Sequence, residues 1–384
     1  MKFLHLGDLH IGKSLGEYDL LEDQEYILKQ ILDLITEEDV DAVMIAGDIY
    51  DRSIPSEGAV NIFDSFLNQL AQKNVETFII TGNHDSDDRM NYGREFFARH
   101  RIHICAKYMG ELFCYNLEDE KGEVSVYLLP FVKASQVKHY FENEKIENYN
   151  DGVRTLLQHA NVDGSKRNVL VAHQFVAGKS DPMFSGSESG ATINVGTVER
   201  IGYDLFDDFD YVALGHIHMP QKVGREEIRY AGSPLKYSAS EANGVKSVPI
   251  VTLSEKGEVS IQLRELHPLR DMRQIKGTMK QLLSEENIVN PQDFIYVTLT
   301  DEDIIPDAMG IFRQHYPNTV KIEYHNSRTR EIESVDISHI SKNKSFETLI
   351  SEFYESIYGV EIGDEEMELL KKVAGEAGVT DETN

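Results

Sequence analysis

The chain has 384 residues, of which 41% are hydrophobic, and its formal net charge is −28. This length exceeds one average domain and this composition allows a sizeable core, so a fully disordered chain is excluded. The charge argues against a protein that binds nucleic acid through a uniformly basic surface. It leaves open a nuclease in which metal ions or a partner subunit supply the local positive charge.

The first part of the chain alternates strand-like and helix-like patterns. Short apolar runs at 1–7, 41–47 and 76–81 predict three strands, and apolar residues at helical spacing in 17–38 and 56–72 predict the two helices between them. A β-α-β-α-β order indicates a parallel sheet with helices on its faces.

Further strands are predicted downstream, at 124–130, 168–172, 211–214, 227–231, 248–253 and 258–263. Lys256 and Gly257 between the last two are typical of a hairpin turn. Helical patterns are scarce in this region, so part of it is expected to be antiparallel. A mixed sheet, or two packed sheets, therefore fits better than one doubly wound sheet.

The last third of the chain predicts smaller parts. Alternating helix and strand patterns at 278–286, 294–299, 308–315 and 320–324 indicate a compact α/β module. A polar stretch follows, and then Phe346, Leu349, Phe353 and Ile357 recur at helical spacing. We divide the chain into a domain of residues 1–266, a small α/β domain of residues 267–326, a linker of residues 327–345 and a C-terminal helical segment of residues 346–384.

The chain carries no sign of membrane insertion or export. It has no apolar run of 18 residues, so no membrane span is expected. The start, MKFLHLGDLHIG, is interrupted by Asp8 and His10, whereas a secretory signal needs a longer apolar stretch. Cys105 and Cys114 are too few for a disulfide framework, so we expect free thiols and a cytoplasmic protein.

Polar motifs, all but one of which contain glycine, follow the apolar strands. They are Asp8 and His10, Asp48, then Asn83, His84 and Asp85, then the isolated His173, and finally His216 and His218. The carboxyl ends of strands in an open sheet line one crevice, so these residues can converge. Carboxylate, amide and imidazole ligands favour manganese, iron or zinc. Asp48 is the natural bridge, because one carboxylate can serve two metals.

Each piece also has an ordinary structural interpretation. A lone Asp-x-His pair is usually a surface coincidence, and His173 alone is more often a buried, hydrogen-bonded histidine. Asn83 could be a turn residue and Asp48 a helix cap. These separate interpretations do not explain the complete set, because the motifs occur in order after apolar strands and include every ligand type. We therefore predict a two-metal phosphoesterase centre.

The ordered set DxH, GDxxD, GNHD, isolated His and GHxH resembles that of the calcineurin-like metallophosphoesterases over about residues 1–265. The resemblance implies an α/β sandwich of two mixed β-sheets flanked by helices. It also implies one metal held by Asp8, His10, Asp48 and His218, and a second held by Asp48, Asn83, His173 and His216. His84 would be the catalytic residue facing the phosphate, and Asp85 would orient it.

A closer resemblance is to the family of nuclease subunits of bacterial SbcC–SbcD complexes. It rests on the segments MKFLHLGDLHIG, VALGHIHMP, AGSPLKYSASE and HPLRDMR and on the order of the parts, in which the module at 267–326 would cap the DNA. It implies two Mn²⁺ ions, or Mg²⁺ or another divalent metal. It implies a 3′ to 5′ exonuclease on double-stranded DNA ends and an endonuclease near hairpins, acting in DNA replication, recombination and repair.

The same resemblance implies a homodimer within a heterotetramer, associated with the nucleoid in the cytoplasm. The partner would be an SbcC-type ATPase with a long coiled coil, on which the stripe at 346–357 would dock; the stripe could instead pack on the chain's own module. The resemblance implies that this partner, rather than the chain itself, uses ATP. The helices at 56–72 and 89–100 are expected to contribute to the dimer.

Four basic residues near the metal motifs are candidate DNA contacts or solvated surface charges: Lys13, Arg52, Arg89 and Arg94. The polar segment 180–189 is either a mobile loop over the site or a long connection. A phosphatase or cyclic-nucleotide phosphodiesterase is the alternative activity. A binding scaffold without catalysis would be expected to lack a ligand, and none is missing.

Overall fold

A computed structural model describes residues 1–187, 200–327, 350–351, 354, 362–363 and 366–371. The chain divides into two compact units, the first formed by Met1–Arg273 with Gln292–Phe294 and the second by Gln274–Pro291 with Ile295–Asn384. Residues 328–345 of the predicted linker and the stripe Phe346, Leu349, Phe353 and Ile357 lie outside the described residues. Within the described part, no helix is both long and apolar enough to span a bilayer.

In chain order the strands are β1 (Lys2–Leu6), β2 (Ser14–Leu15), β3 (Tyr18–Asp19), β4 (Ala42–Ala46), β5 (Glu76–Ile80), β6 (Ile102–Cys105), β7 (Phe113–Asp119), β8 (Gly122–Leu129), β9 (Arg167–His173), β10 (Val176–Ala177), β11 (Ile201–Gly202), β12 (Tyr211–Gly215), β13 (Gln221–Val223), β14 (Arg225–Tyr230), β15 (Ser247–Leu253), β16 (Val259–Glu265), β17 (Met272–Gly277), β18 (Phe294–Leu299) and β19 (Thr319–Tyr324). The α-helices are α1 (Leu21–Glu37), α2 (Glu57–Lys73), α3 (Asp87–Asn91), α4 (Arg94–Ala98), α5 (Ala134–Tyr140), α6 (Tyr149–Ala160), α7 (Met279–Leu282) and α8 (Ala308–His315). Short 3₁₀ helices lie at Tyr203–Phe206 and Ala239–Glu241.

The first unit contains two six-stranded sheets, ordered β16-β15-β1-β4-β5-β6 and β13-β14-β12-β9-β8-β7. Strands β1, β4, β5 and β6 pair in parallel, as do β8, β9, β12 and β14. Antiparallel strands complete both sheets, namely β15 and β16 in the first and β7 and β13 in the second. The expected sandwich of two mixed sheets is therefore confirmed.

The core between the sheets is built from the apolar runs that predicted the strands. Strand β4 is buried at all five positions, and Met44 and Phe78 of the first sheet pack in one cluster with Val171 and Ala213 of the second. Such runs are typical of strands that are covered on both faces. The burial of this cluster holds the two sheets together and fixes which strand ends lie side by side.

Helices cover the outer faces of the sheets. Helix α1 buries Ile27, Ile31 and Ile35 at helical spacing. Helix α2 begins at Ser56, whose side chain accepts a hydrogen bond from the Ala59 N–H. It ends at Asn74, which adopts a left-handed conformation. Both helices lie close to the predicted positions.

Helices α5 and α6 were not expected, because few helices were predicted between residues 124 and 263. Helix α6 nevertheless buries Val153 and Leu156 at helical spacing, and Tyr149 and Leu157 are partly buried against the same cluster, so the sequence does carry a helical pattern there. The clearest signal is Asn148, whose side chain accepts from the Asp151 N–H at 2.9 Å and caps the helix. These two helices form the crossover between β8 and β9, which pair in parallel. The expected antiparallel part is formed by β7, β13, β15 and β16.

The second unit has a small core of its own. Strands β17, β18 and β19 form a sheet in that order, and β18 pairs with β19 in parallel. Helix α8 contributes Phe312 to the cluster formed by Ile295 and Val297. Helix α7 is shorter than predicted, because the Asn287 side-chain amide donates to the Gln281 carbonyl and ends it. The domain boundaries drawn from the sequence remain a prediction.

Candidate metal centre

The polar motifs follow strands that are neighbours in their sheets. In the first sheet, Asp8, Asp48 and Asn83 come two or three residues after β1, β4 and β5. In the second sheet, His173 ends β9, His216 follows β12, and the register pairs Gly215 with His173. The sandwich thus brings both sets of strand ends to one place.

The ligand loops share an unusual backbone. Asp8, His10, Asp48 and His216 all have positive φ angles, of 52°, 43°, 50° and 106°. Each such residue costs on the order of 1–3 kcal/mol and persists only where surrounding contacts over-determine it. The Asp8 N–H donates to the Gly47 carbonyl and the His10 N–H to the Asp48 carbonyl, so the loops hold one another.

Glycine is required at two points where these loops touch. A Cβ on Gly215 would lie 1.9 Å from the Ala46 carbonyl oxygen, and a Cβ on Gly82 would lie 2.1 Å from Oδ1 of Asp48. Neither neighbour can move without displacing a ligand loop. Gly215 therefore permits the close approach of the two sheets, and Gly82 permits the close approach of two neighbouring loops of the first sheet.

One group of potential ligands is formed by Asp8, His10 and His218, whose nearest donor atoms all lie within 4.8 Å of one another. Nε2 of His10 is 3.0 Å from Nε2 of His218, and both side chains are buried. Burial lowers the pKa of His10 to about 3 and the pKa of His218 well below its usual value. Neutral imidazoles in this position offer lone pairs to a cation.

A second group is formed by Asp8, Asp48 and His173, again within 4.8 Å. Oδ1 of Asn83 lies 3.1 Å from Nε2 of His173 and 3.0 Å from Nδ1 of His216. Burial by itself would lower the pKa of His173, but the charges of Asp48 and Asp8 raise it above its usual value. The buried carboxylates therefore draw positive charge into the site.

Asp48 contacts both groups. Its Oδ2 atom is 3.4 Å from Nε2 of His173 and 3.6 Å from Nε2 of His10, and its Oδ1 atom accepts the His84 N–H at 2.9 Å. The position between the two groups is the one a bridging ligand needs. The clustering of buried oxygen and nitrogen donors fits two divalent cations.

We expected Asp85 to orient His84, but the two side chains have different hydrogen-bond partners. Asp85 accepts the backbone N–H groups of Ile49, Tyr50 and Gly82 at 2.9–3.1 Å. Nδ1 of His84 lies 3.0 Å from the carbonyl oxygen of Asp51. The orienting contact of His84 is therefore this carbonyl, and the expected orientation by Asp85 is corrected. Asp85 is buried and joins the loops that carry Asp48 and Asn83.

The four basic candidates occupy different surroundings. Lys13 forms an ion pair with Asp51 at 2.8 Å and lies over the Tyr237 ring, next to the ligand loops. Arg52 is 81% exposed on the neighbouring loop, 3.7 Å from Asp51. Arg89 is exposed on α3, and Arg94 of α4 lies over the Phe113 ring. Lys13 and Arg52 are thus tied to the site through Asp51, whereas Arg89 and Arg94 lie on the helices that follow the Asn83 loop.

Some supporting residues were missed by the sequence analysis. The Gln24 side chain donates to the His10 carbonyl at 2.7 Å and accepts the Gly12 N–H at 2.9 Å. The Tyr237 hydroxyl donates to the Leu9 carbonyl. Gln24 lies in an amphipathic helix, where it resembles any polar residue; its only local signal is that it falls on the apolar face with Ile27 and Ile31.

Two family models match the chain. Residues 1–220 match the model described as calcineurin-like phosphoesterase, and residues 268–358 match the SbcD C-terminal model, described as type 5 capsule protein repressor C-terminal domain. Together the two matches are consistent with an SbcD-type chain.

Two solved structures are also similar. A dimetal phosphatase from Danio rerio is 11% identical, with a TM-score of 0.40 over 69% of this chain and 96% of that one. The protein TT1561 of Thermus thermophilus is 10% identical, with a TM-score of 0.39 over 68% of this chain and 98% of that one. At these TM-scores we draw no functional conclusion from either.

Proposed function

The chain belongs to the calcineurin-like phosphoesterase family, and we propose that it is a metal-dependent DNA nuclease that works at DNA ends and hairpins. The membership makes it a phosphoester hydrolase, and the SbcD-type match at residues 268–358 supports a nuclease-like one. The observation that carries the proposal is the position of Asp48 between two groups of buried donors.

We propose two metal sites that share Asp48. Asp8, His10, Asp48 and His218 hold one cation, and Asp48, Asn83, His173 and His216 hold the other. Mn²⁺ is the proposed metal in both, with Mg²⁺ or another divalent ion as the alternative, because oxygen and imidazole donors suit these ions. When bound, such cations acidify water near neutral pH and neutralise charge that develops on a phosphate.

His84 is the proposed catalytic residue of the protein itself. The Asp51 carbonyl can only accept a hydrogen bond, so Nδ1 of His84 carries a proton and donates it. Nε2 remains the atom that exchanges a proton with the substrate. His84 is partly exposed, unlike the four ligand histidines, which suits a group that protonates the leaving oxygen or stabilises its charge. Asp85 supports the loop that carries His84.

DNA binding cannot rest on the global charge of −28. We propose that Lys13, Arg52, Arg89 and Arg94 contact the phosphate backbone locally and that an SbcC-type coiled-coil ATPase supplies the remaining positive surface and the use of ATP. The chain would act as a homodimer within a heterotetramer, associated with the nucleoid in the cytoplasm. Its roles would be 3′ to 5′ digestion of double-stranded ends and cleavage near hairpins in DNA replication, recombination and repair.

The proposed division of labour follows the parts of the chain. Residues 1–266 would form the nuclease domain and residues 267–326 the domain that caps the DNA. Residues 327–345 would form the linker, and residues 346–384 the segment that docks on the ATPase. The SbcD-type match at residues 268–358 covers the small domain, the linker and the start of the docking segment.

The test is cleavage of an end-labelled DNA hairpin and of p-nitrophenyl phosphate, each with and without Mn²⁺ and an SbcC-type ATPase. A nuclease cuts the hairpin only with the metal and gains activity with the ATPase. Hydrolysis of p-nitrophenyl phosphate without DNA cleavage would instead support a phosphatase, and hydrolysis of cyclic nucleotides would support a phosphodiesterase. The Asp48→Asn variant is the control for contaminating nucleases.

A further inference from the structure

The ring and the backbone carbonyl of His218 are both held by residues outside the proposed ligand set. Nδ1 of its ring lies 2.6 Å from Oγ of Ser187. Its backbone carbonyl accepts a hydrogen bond from Nζ of Lys246 at 2.9 Å. Ser187 donates to Oε1 of Glu241 at 2.7 Å, and Glu241 forms an ion pair with Lys246. Glu241 is thus connected to the His218 ring through Ser187 and to the His218 backbone carbonyl through Lys246.

The charged members of this network are deeply buried. The side chains of Glu241 and Lys246 are only 2% and 6% exposed. Buried charges are tolerated when they are paired and their remaining hydrogen-bonding positions are filled. Lys246 also donates to Oγ of Ser233 at 2.8 Å, and Oε1 of Glu241 accepts from the Tyr237 N–H at 3.2 Å. The buried charges of Glu241 and Lys246 are thus both paired and hydrogen-bonded.

The direction of each proton follows from these partners. A carboxylate only accepts, so the Ser187 hydroxyl proton points to Glu241. Oγ of Ser187 must then accept from Nδ1–H of His218. With the proton on Nδ1, Nε2 carries the lone pair, and Nε2 is the atom that faces His10 at 3.0 Å. This is the tautomer that a metal-ligating imidazole requires.

We propose that Ser187 and Glu241 form a positioning relay that fixes the tautomer and orientation of His218. The relay couples the segment 183–187 to the metal affinity of the site that contains His218. The segment is held by Gln221, which bonds both the N–H and the carbonyl of Met183, and by Ser185, whose Oγ lies 2.6 Å from Oγ of Ser187. Because such coupling is reciprocal, metal binding also stabilises the segment. This proposal presupposes the metal centre proposed above.

The first test is Mn²⁺ titration of the metal-depleted full-length protein by calorimetry and electron paramagnetic resonance. In Ser187→Ala, the site that contains His218 is expected to lose affinity about 10- to 100-fold, as when other partners of ligating histidines are removed. The site of Asn83, His173 and His216 should change little. A titration of His218→Ala identifies which binding event belongs to the relay. Ser180→Ala, an exposed serine three residues before this segment, should match the wild type.

The second test reads the tautomer directly by ¹⁵N NMR of histidine-labelled, metal-free protein. The wild type should show His218 unprotonated at Nε2, Ser187→Ala should show a mixture of tautomers, and Ser187→Thr should restore the wild-type signal because it keeps the hydroxyl. Unchanged affinity and an unchanged tautomer in Ser187→Ala would overturn the relay, as would a threonine variant that behaves like alanine. If the wild type bound no Mn²⁺, the proposed function would fail, while the tautomer of the metal-free protein would still decide the relay.

Discussion

His10 and His218 meet through their Nε2 atoms, 3.0 Å apart, although 208 residues separate them along the chain. Burial lowers the pKa of both rings, so two neutral imidazoles face each other beside the buried carboxylate of Asp8. Two nitrogens with lone pairs and a carboxylate at this spacing are suited to binding a cation rather than to hydrogen bonding with one another.

Mn²⁺ is therefore expected to stabilise the folded protein. A ligand that binds only the folded state at 100 times its Kd adds about 2.7 kcal/mol, so the Tm should rise with Mn²⁺ and fall after chelation. Asp48→Asn should lose this rise, because Asp48 contacts both donor groups. Differential scanning fluorimetry measures the shift, and the exposed Asp88→Asn is the matched control. An equal rise in Asp48→Asn would contradict a metal site at Asp48.

His84→Gln should separate binding from catalysis. The side chain is not among the buried donors, so both metals should be retained by elemental analysis. DNA cleavage should fall by about 100- to 10,000-fold, the usual contribution of a positioned acid or base. His100→Gln, an exposed histidine, controls for the substitution itself. Full activity in His84→Gln would remove His84 from the mechanism.

Gly215→Ala should destabilise the sandwich at the site. The added Cβ would lie 1.9 Å from the Ala46 carbonyl oxygen, a backbone atom that cannot move alone. We expect a loss of about 3 kcal/mol or more in the free energy of unfolding, at the upper end for overpacking. Urea denaturation measures it. Gly152→Ala in α6, where the new Cβ meets only ordinary contacts at 3.6 Å, should be neutral or stabilising; similar losses in both would refute the steric argument.

The pair formed by Asp119 and Arg167 should make stability depend on pH. Both guanidinium Nη atoms donate to Asp119, at 3.1 and 2.6 Å, and they hold the pKa of this carboxyl well below its usual value. A depressed folded-state pKa adds stability above the unfolded pKa of about 3.9, and this stability is lost as the pH falls further.

Asp119→Asn should accordingly lower the free energy of unfolding at pH 7 by about 1 kcal/mol, because Asp119 is partly exposed and water screens the ion pair. The difference from the wild type should shrink as the pH falls below about 4. Urea titrations at several pH values measure it, with the exposed Glu118→Gln as control. A difference that stays constant down to low pH would rule out the ion pair as its source.

Deletion of residues 341–384 should abolish binding to an SbcC-type ATPase and leave Mn²⁺-dependent cleavage by the chain alone. The metal ligands all precede this segment, and its apolar stripe at helical spacing fits a helix that docks in a groove. Co-purification and a cleavage assay measure the two effects. A truncated chain that still binds the ATPase would refute the docking role.

The fold was largely predictable because its signals are local. Strand β18 and helix α8 match their predicted bounds, and β4 lies within its apolar run, since burial on both faces demands continuous apolar sequence. Helix α6 was missed although Tyr149, Val153 and Leu156 recur at helical spacing on its packed face. The ends of β9 and β12 could be named in advance, but their adjacency in one sheet could not.

By itself, the sequence determined the kinds of donor available and their position after strands, because strands, turns and glycines are encoded within a few residues. The tertiary structure alone decided which groups meet. It brought Nε2 of His10 to Nε2 of His218, paired His84 with the Asp51 carbonyl instead of Asp85, and joined Ser187 to Glu241. Hydrogen bonds and ligand sites depend on distances of a few tenths of an ångström between residues far apart in the chain, and only the packing of the two sheets sets those distances.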